Sequence, residues 1–362
     1  RRWISVLAAA ALLTGCEVPD GDFAPSPPAA TTGSPAWAVG FAPRGKPAEE
    51  VLIEGMASVA AHPGFFGGAV LAGFQEEVFA DPRTLASLDA LADGASAVQI
   101  VVPWYQETAT SSTFARLPGT TPSDASVIAL LDRLNALGVD VLLTAFVDAR
   151  NGDWRGSFLP GDPERWFDAQ EGLVRHYGAL AEAHGAAAMS VGSEYTQTES
   201  LYEDRWRAVI AAAREEFSGA LTYSSNWNDT NNAGGGFEGV PFWDALDAVG
   251  VDAWFPLVDV GVAPEIAALI DGWEPWLDRL RAVSEAVDRP VWFTEIGYAS
   301  RVGAVSAPWE YGGDYEPSAL TQENAYRAFF ERVHAEEDWL EAAFFWWWDN
   351  PSTDDFLAPA EG

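Results

Sequence analysis

From residue 65 onward, short apolar runs alternate with longer stretches whose apolar residues recur at helical spacing, and the alternation repeats eight times. Apolar runs that leave no polar face, separated by amphipathic helices, fit a parallel sheet covered by helices on its outside. Strands are expected over residues 68–74, 98–103, 139–146, 186–192, 220–225, 248–255, 290–294 and 340–348. The spacing predicts helices between them over 82–92, 123–138, 162–185, 201–217, 242–246, 263–287 and 322–334. In the second of these, Val127, Leu130, Leu131, Leu134 and Leu137 form one face, and Gly138 supplies a C-terminal cap. Asp162-Pro163 supplies an N-cap and a first helical position for the third. The helix over 263–287 is expected to break near Gly272 and Pro275. Eight strand–helix units close on themselves, so the expected fold is α/β, a single (β/α)8 TIM barrel over 65–362.

The first 64 residues do not fit that pattern. Arg1 and Arg2 precede an apolar run that ends in Leu13-Thr-Gly-Cys16, too short to span a bilayer and shaped like a secretory signal. Its end resembles the bacterial lipobox, which implies lipidation of Cys16, the only cysteine in the chain. A signal peptide over 1–15, a lipidated tether over 16–36 rich in proline, and a short N-terminal extension over 37–64 are therefore expected, with the protein lipid-anchored at a bacterial cell envelope. One cysteine excludes an intrachain disulfide or a cysteine-built metal site, and the four histidines show no ligand spacing, so neither metal nor cofactor is expected.

A formal net charge of −34 repels nucleic acid and anionic lipid and disfavours a polyanionic substrate. A neutral polysaccharide is compatible with it. The chain is expected to act as a monomer, touching membrane only through its lipid.

Two of the predicted strands end on glutamate: Ser190-Val-Gly-Ser-Glu194 on the fourth and Val291-Trp-Phe-Thr-Glu295 on the seventh. Barrel enzymes place their chemistry at the C-terminal strand ends, so both carboxyls are expected to face one cavity. A carboxyl pair there suits glycosidic bond cleavage, one as acid and one as nucleophile. Trp104, Trp154, Trp227, Trp254, Trp346 and Trp348 fall at the same ends or in their exit loops, where indole faces can stack on the C–H faces of sugars. Period-two alternation puts Trp346 and Trp348 on one face and Trp347 on the other. Asp148, Asn226 and Asp252 are candidates to hold sugar hydroxyls, and Tyr298 to contact a carboxylate.

Val191-Gly-Ser-Glu194, Trp154-Arg-Gly156, Phe242-Trp-Asp-Ala-Leu-Asp247, Val249-Gly-Val-Asp252 and Phe293-Thr-Glu-Ile-Gly-Tyr298 together resemble glycoside hydrolase family 113, in the family's order. The resemblance implies a clan A barrel with retaining chemistry, Glu194 as acid/base, Glu295 as nucleophile and a β-1,4-mannan or glucomannan as substrate. Ser193 stands where many clan members carry asparagine, and Trp254-Phe255 stands where strand six usually ends in tyrosine. The alternatives are a β-galactanase or β-glucanase using the same pair, and a non-catalytic, lipid-anchored glycan-binding protein.

Overall fold

The computed structural model describes residues 66–92, 94–228, 236–259, 265–310, 316–333 and 338–346. The expected signal, Cys16, the tether, the N-terminal extension and Trp348 lie outside them. Eight strands form one closed barrel, each paired in parallel with its neighbours in chain order. They are β1 (Phe66–Ala72), β2 (Ala97–Gln106), β3 (Asp140–Ala149), β4 (Ala188–Ser193), β5 (Ala220–Asn226), β6 (Val249–Asp252), β7 (Val291–Ile296) and β8 (Leu340–Phe345). The α-helices are α1 (Pro82–Ala92), α2 (Asp124–Leu137), α3 (Pro163–Ala183), α4 (Thr196–Leu201), α5 (Glu203–Glu216), α6 (Ile266–Val287) and α7 (Ala319–Ala328). No helix among the described residues is long and apolar enough to cross a membrane.

Local chemistry accounts for the boundaries. Ser123 caps α2 by accepting from the Ser126 N–H, and Gly138 closes that helix in the left-handed region at φ 74°. Asp162 caps α3 in the same way, with Pro163 at its first position. The leucines and valine expected on one face of α2 are fully buried except Leu137, which is partly so.

Strand lengths depart from the expectation where the rim is built. β2 and β3 run past the predicted ends and stay paired from Ala97↔Asp140 to Gln106↔Ala149. Their extra length carries Tyr105 and Asp148 to the rim. β6 is shorter than expected and stops at Asp252, with the Ala253 N–H donating to the Glu295 carbonyl on β7 at 2.6 Å. The helix expected over 201–217 is α5, and a short helix not read from the sequence, α4, precedes it.

Helix α6 does not break at Gly272 or Pro275. Gly272 is instead a point of close approach: a Cβ there would lie 2.0 Å from the Leu257 carbonyl oxygen. That contact seats α6 on the loop after β6, so Trp273 and Phe293 stack at 6.1 Å and Trp276 stacks on Phe255 at 4.5 Å. Gly272→Ala is therefore expected to destabilise the fold by about 1–3 kcal/mol through overpacking. Denaturant unfolding measures this, and an unchanged midpoint would show that the approach is not needed.

Candidate active site

The chain leaves β4 through an irregular register with β5, between Ser190 and Ser193. Glu194 then adopts φ 53°, in the left-handed region, with its N–H donating to the Ser224 carbonyl at 2.7 Å. A backbone penalty of about 1–3 kcal/mol attaches to a non-glycine residue there, and such strain concentrates at functional sites. The surroundings impose it. Behind Glu194, the Tyr195 hydroxyl accepts from the Val147 N–H at 2.6 Å, and the Tyr195 N–H donates to the Tyr223 hydroxyl at 2.7 Å. Tyr223 in turn donates to buried Glu199 at 2.6 Å.

The Glu194 carboxylate meets the loop after β3. Arg155 Nη1 donates to its Oε2 at 3.2 Å, and the Trp154 indole Nε1 lies 3.5 Å from the same oxygen. Arg155 also donates through Nε to Asp148 at 2.8 Å, and its guanidinium lies over the Phe146 ring, 4.0 Å from the centroid. A flat cation stacked on a ring and forked between two carboxylates has little freedom left.

Across the mouth, Glu295 is 8% exposed at the end of β7. Its Oε2 accepts from the Trp254 indole N–H at 3.1 Å, and Trp346 packs edge-on against Trp254 with centroids 6.4 Å apart. Between the two glutamates lies Asp252, with no exposed surface. One of its oxygens accepts from Ser193 Oγ at 3.2 Å and the other from Thr294 Oγ1 at 2.7 Å. Ser193 precedes Glu194 and Thr294 precedes Glu295, so one buried carboxyl ties together the two backbone positions from which the glutamates project.

The electrostatics follow from many carboxyls around one cation. Burial raises the proton affinity of Glu194, and nearby Asp148 adds to it, against the opposing pull of Arg155 and Trp154. Burial also raises Glu295 well above its ordinary value, helped by the charges of Asp252 and Glu194. Asp252 is pushed up to about 8 by burial and by Glu194. Glu194, Asp252 and Glu295 therefore act on one another as members of a single cluster.

The candidates read from the sequence divide. Asp148, Trp154, Glu194, Trp254, Glu295 and Trp346 come together at the rim. Asn226 ends β5 nearby, in register with Asp252 and 9% exposed. Trp227, next to it, is half-buried against Trp276 and Phe255.

Three assignments need correction. Trp104 does not face the cavity: its indole donates to the Tyr177 hydroxyl on α3 at 3.0 Å, because alternation along β2 turns it toward the helices. Asp252 cannot reach a sugar, being fully covered and bound to two hydroxyls. Tyr298 is 1% exposed and its hydroxyl is directed at the Phe255 carbonyl at 3.4 Å, which makes it a packing residue.

Arg155, Ser193, Thr294 and Tyr105 belong to the site and were not read from the sequence as its members. Tyr105 is buried beside Asp148 and Arg155, whose charges act on its hydroxyl. Arg155 left a signal, as a cation inside a tryptophan-glycine turn of a very acidic chain. The opposite mouth of the barrel has a cavity of about 100 Å³ lined by Phe66, Leu142, Trp292 and Phe344, with Asp140 as its one acidic neighbour. It offers no paired carboxyls.

A closed (β/α)8 barrel with buried, interacting glutamates and indoles at its C-terminal rim has the make-up of a glycoside hydrolase. The sequence pattern of Glycoside Hydrolase Family 113 matches residues 72–360, and the chain belongs to that family. Among solved structures it is similar to the GH113 β-mannanase AaManA from Alicyclobacillus acidocaldarius in complex with ManMIm, at 27% identity and TM-score 0.69, covering 82% of this chain and 96% of that one. A complex of a GH113 β-1,4-mannanase matches at 27% identity and TM-score 0.68, over 79% of this chain and 89% of that one. A further GH113 β-1,4-mannanase structure matches at 26% identity and TM-score 0.69, over 82% and 98%. No curated protein sequence matches the chain.

Asp252→Ala should leave the Ser193 and Thr294 hydroxyls without their acceptor, costing about 1–3 kcal/mol of stability. Turnover should fall further than substrate affinity, since what loosens is the placement of the glutamates. Steady-state kinetics beside thermal melts test this; a variant with wild-type kcat would show that the tie is dispensable.

Proposed function

We propose that the chain is a retaining β-glycosidase of neutral polysaccharide, with β-1,4-mannan or glucomannan as its first substrate, Glu194 as acid/base and Glu295 as nucleophile. The observation that carries this reading is the pair of buried, mutually interacting carboxyls at the ends of β4 and β7, each with an indole N–H at one oxygen. The printed activity of the similar GH113 structures supports mannan, and the chain's net charge of −34 supports an uncharged substrate.

In the first step a Glu295 carboxylate oxygen bonds to the anomeric carbon. The bond to the leaving oxygen breaks, and that oxygen takes the proton from Glu194. Trp254 holds Oε2 of Glu295 and leaves the other oxygen to attack. Once Glu295 is an ester its charge is gone, and Glu194 no longer faces a carboxylate at that position. Glu194, left ionised beside Arg155, can then take a proton from water. That water attacks the anomeric carbon from the face the leaving group vacated, which frees Glu295 and restores the starting configuration.

The working state needs one carboxyl protonated and the other ionised, and burial raises both. Activity falls as pH drops through the pKa of the ionised member and falls again as pH rises through that of the protonated one. Both limbs of the kcat/KM profile are thus expected above the ordinary carboxyl range, as properties of the pair. An acid limb at the ordinary carboxyl value would contradict the buried pair. Glu295→Gln should lose turnover by several orders of magnitude while retaining oligosaccharide affinity. Glu194→Gln should lose about 10²- to 10⁴-fold on natural linkages and less on aryl glycosides that need no proton. NMR of the first-formed product should show the β anomer; an α product would rule out retention.

We further infer that Cys16 carries a lipid that tethers the enzyme to a membrane. Metabolic labelling with a fatty-acid analogue should mark the wild type and not Cys16→Ser; equal labelling of both would refute it.

A further inference from the structure

Only two tryptophans among the described residues are exposed, Trp154 at 40% and Trp309 at 41%. Trp154 stands at Glu194. Trp309 lies in the loop between β7 and α7, and its ring stacks on Trp227 with centroids 4.9 Å apart and planes 25° from parallel. Trp227 rests edge-on against Trp276 at 5.6 Å, and Trp276 lies flat on Phe255, immediately after Trp254 in the chain. A connected set of aromatic rings thus runs from beside the Glu295 partner out to an exposed indole.

The loop is built to hold that indole in place. Arg301, 8% exposed, gives its guanidinium to the carbonyls on both sides of Trp309: to Ala307 at 2.8 Å and to Glu310, with a further bond to Val302 at 3.2 Å. The Leu257 N–H donates to the Val305 carbonyl at 2.8 Å, and Ser306 Oγ to the Asp259 carbonyl at 3.2 Å, tying the same loop to the segment after β6. An arginine that gives three hydrogen bonds to the loop's own carbonyls shapes that loop. An indole stacked on a second indole and held on such a support presents a flat apolar face that a ligand can cover.

We propose that Trp309, backed by Trp227 and positioned by Arg301, is a remote subsite that stacks on a pyranose ring of the bound glycan beyond the sugars at the glutamates. The reading rests on the glycosidase function proposed above. Trp227 follows β5 and Glu295 ends β7, so the platform stands two interstrand spacings, about 10 Å, to one side of the nucleophile. That distance lies beyond the reacting sugar and within reach of later ones along a chain. The C–H face of a neutral pyranose matches an indole in polarity, and no cation is needed.

The test uses the full-length chain. Affinities of Glu295→Gln and of Glu295→Gln/Trp309→Ala are measured by calorimetry for mannotriose and mannohexaose. Loss of one stacking contact should weaken mannohexaose about five- to tenfold and leave mannotriose within about twofold, with Trp309→Phe recovering most of the loss. Equal weakening of both lengths, or of neither, overturns the subsite. If Trp309→Ala fails to fold, Trp309→Leu, which keeps bulk without an aromatic face, decides the matter by the same comparison. Wild-type turnover with mannohexaose affinity untouched sinks this proposal alone. Absence of binding and turnover on mannan, galactan and glucan alike sinks the glycosidase reading and the subsite together.

Discussion

The guanidinium of Arg155 is the interaction on which the rest of the site depends. Buried carboxyls at the C-terminal mouth would repel one another apart or all take up protons if no cation were set among them. Arg155 meets Asp148 and Glu194 directly and acts on Glu295 at longer range, and the Phe146 ring beneath fixes its plane. The strands that carry these groups are pinned from below by Asp252 through Ser193 and Thr294. The barrel thus provides the directions, the arginine makes the charge density tolerable, and burial keeps a proton in the cluster.

The two glutamates are supported differently. Glu194 has a cation, a weak indole contact and a strained backbone, held in place by Tyr195 and Tyr223 behind it. Glu295 lies within β7, where the pairing to both neighbouring strands shifts register, with an indole donor and, among the described residues, no cation bonded to it. On the roles proposed for them, an acid/base that gives and retakes a proton and a nucleophile that stays ionised have different needs, and the surroundings are unequal to match.

Much of the fold could be read from the chain because a parallel barrel writes itself as apolar runs in strict alternation with helices. Val127 to Leu134 on α2 and the caps at Ser123, Gly138 and Asp162 are local signals, and local signals survive into the structure. Gly272 misled because a residue's tolerance in a helix depends on what lies across from it, and the Leu257 carbonyl is distant in sequence. The site was legible at Glu194 and Glu295, which close apolar runs. Trp104 and Asp252 were misread for a common reason: residue type and strand end were right, but the facing side or the depth was not. Trp309 escaped because no periodic element carries it; a loop shaped by one arginine leaves little pattern in a sequence.

The left-handed backbone at Glu194 has a consequence for how such a chain can change. Glycine or asparagine would rest there more comfortably than glutamate does. Laboratory evolution that rewards heat resistance without rewarding sugar release would drift toward those residues at this position. On the role proposed for Glu194, a selection for durability should therefore keep a demand for catalysis in every round, or it will harvest well-folded, inert barrels.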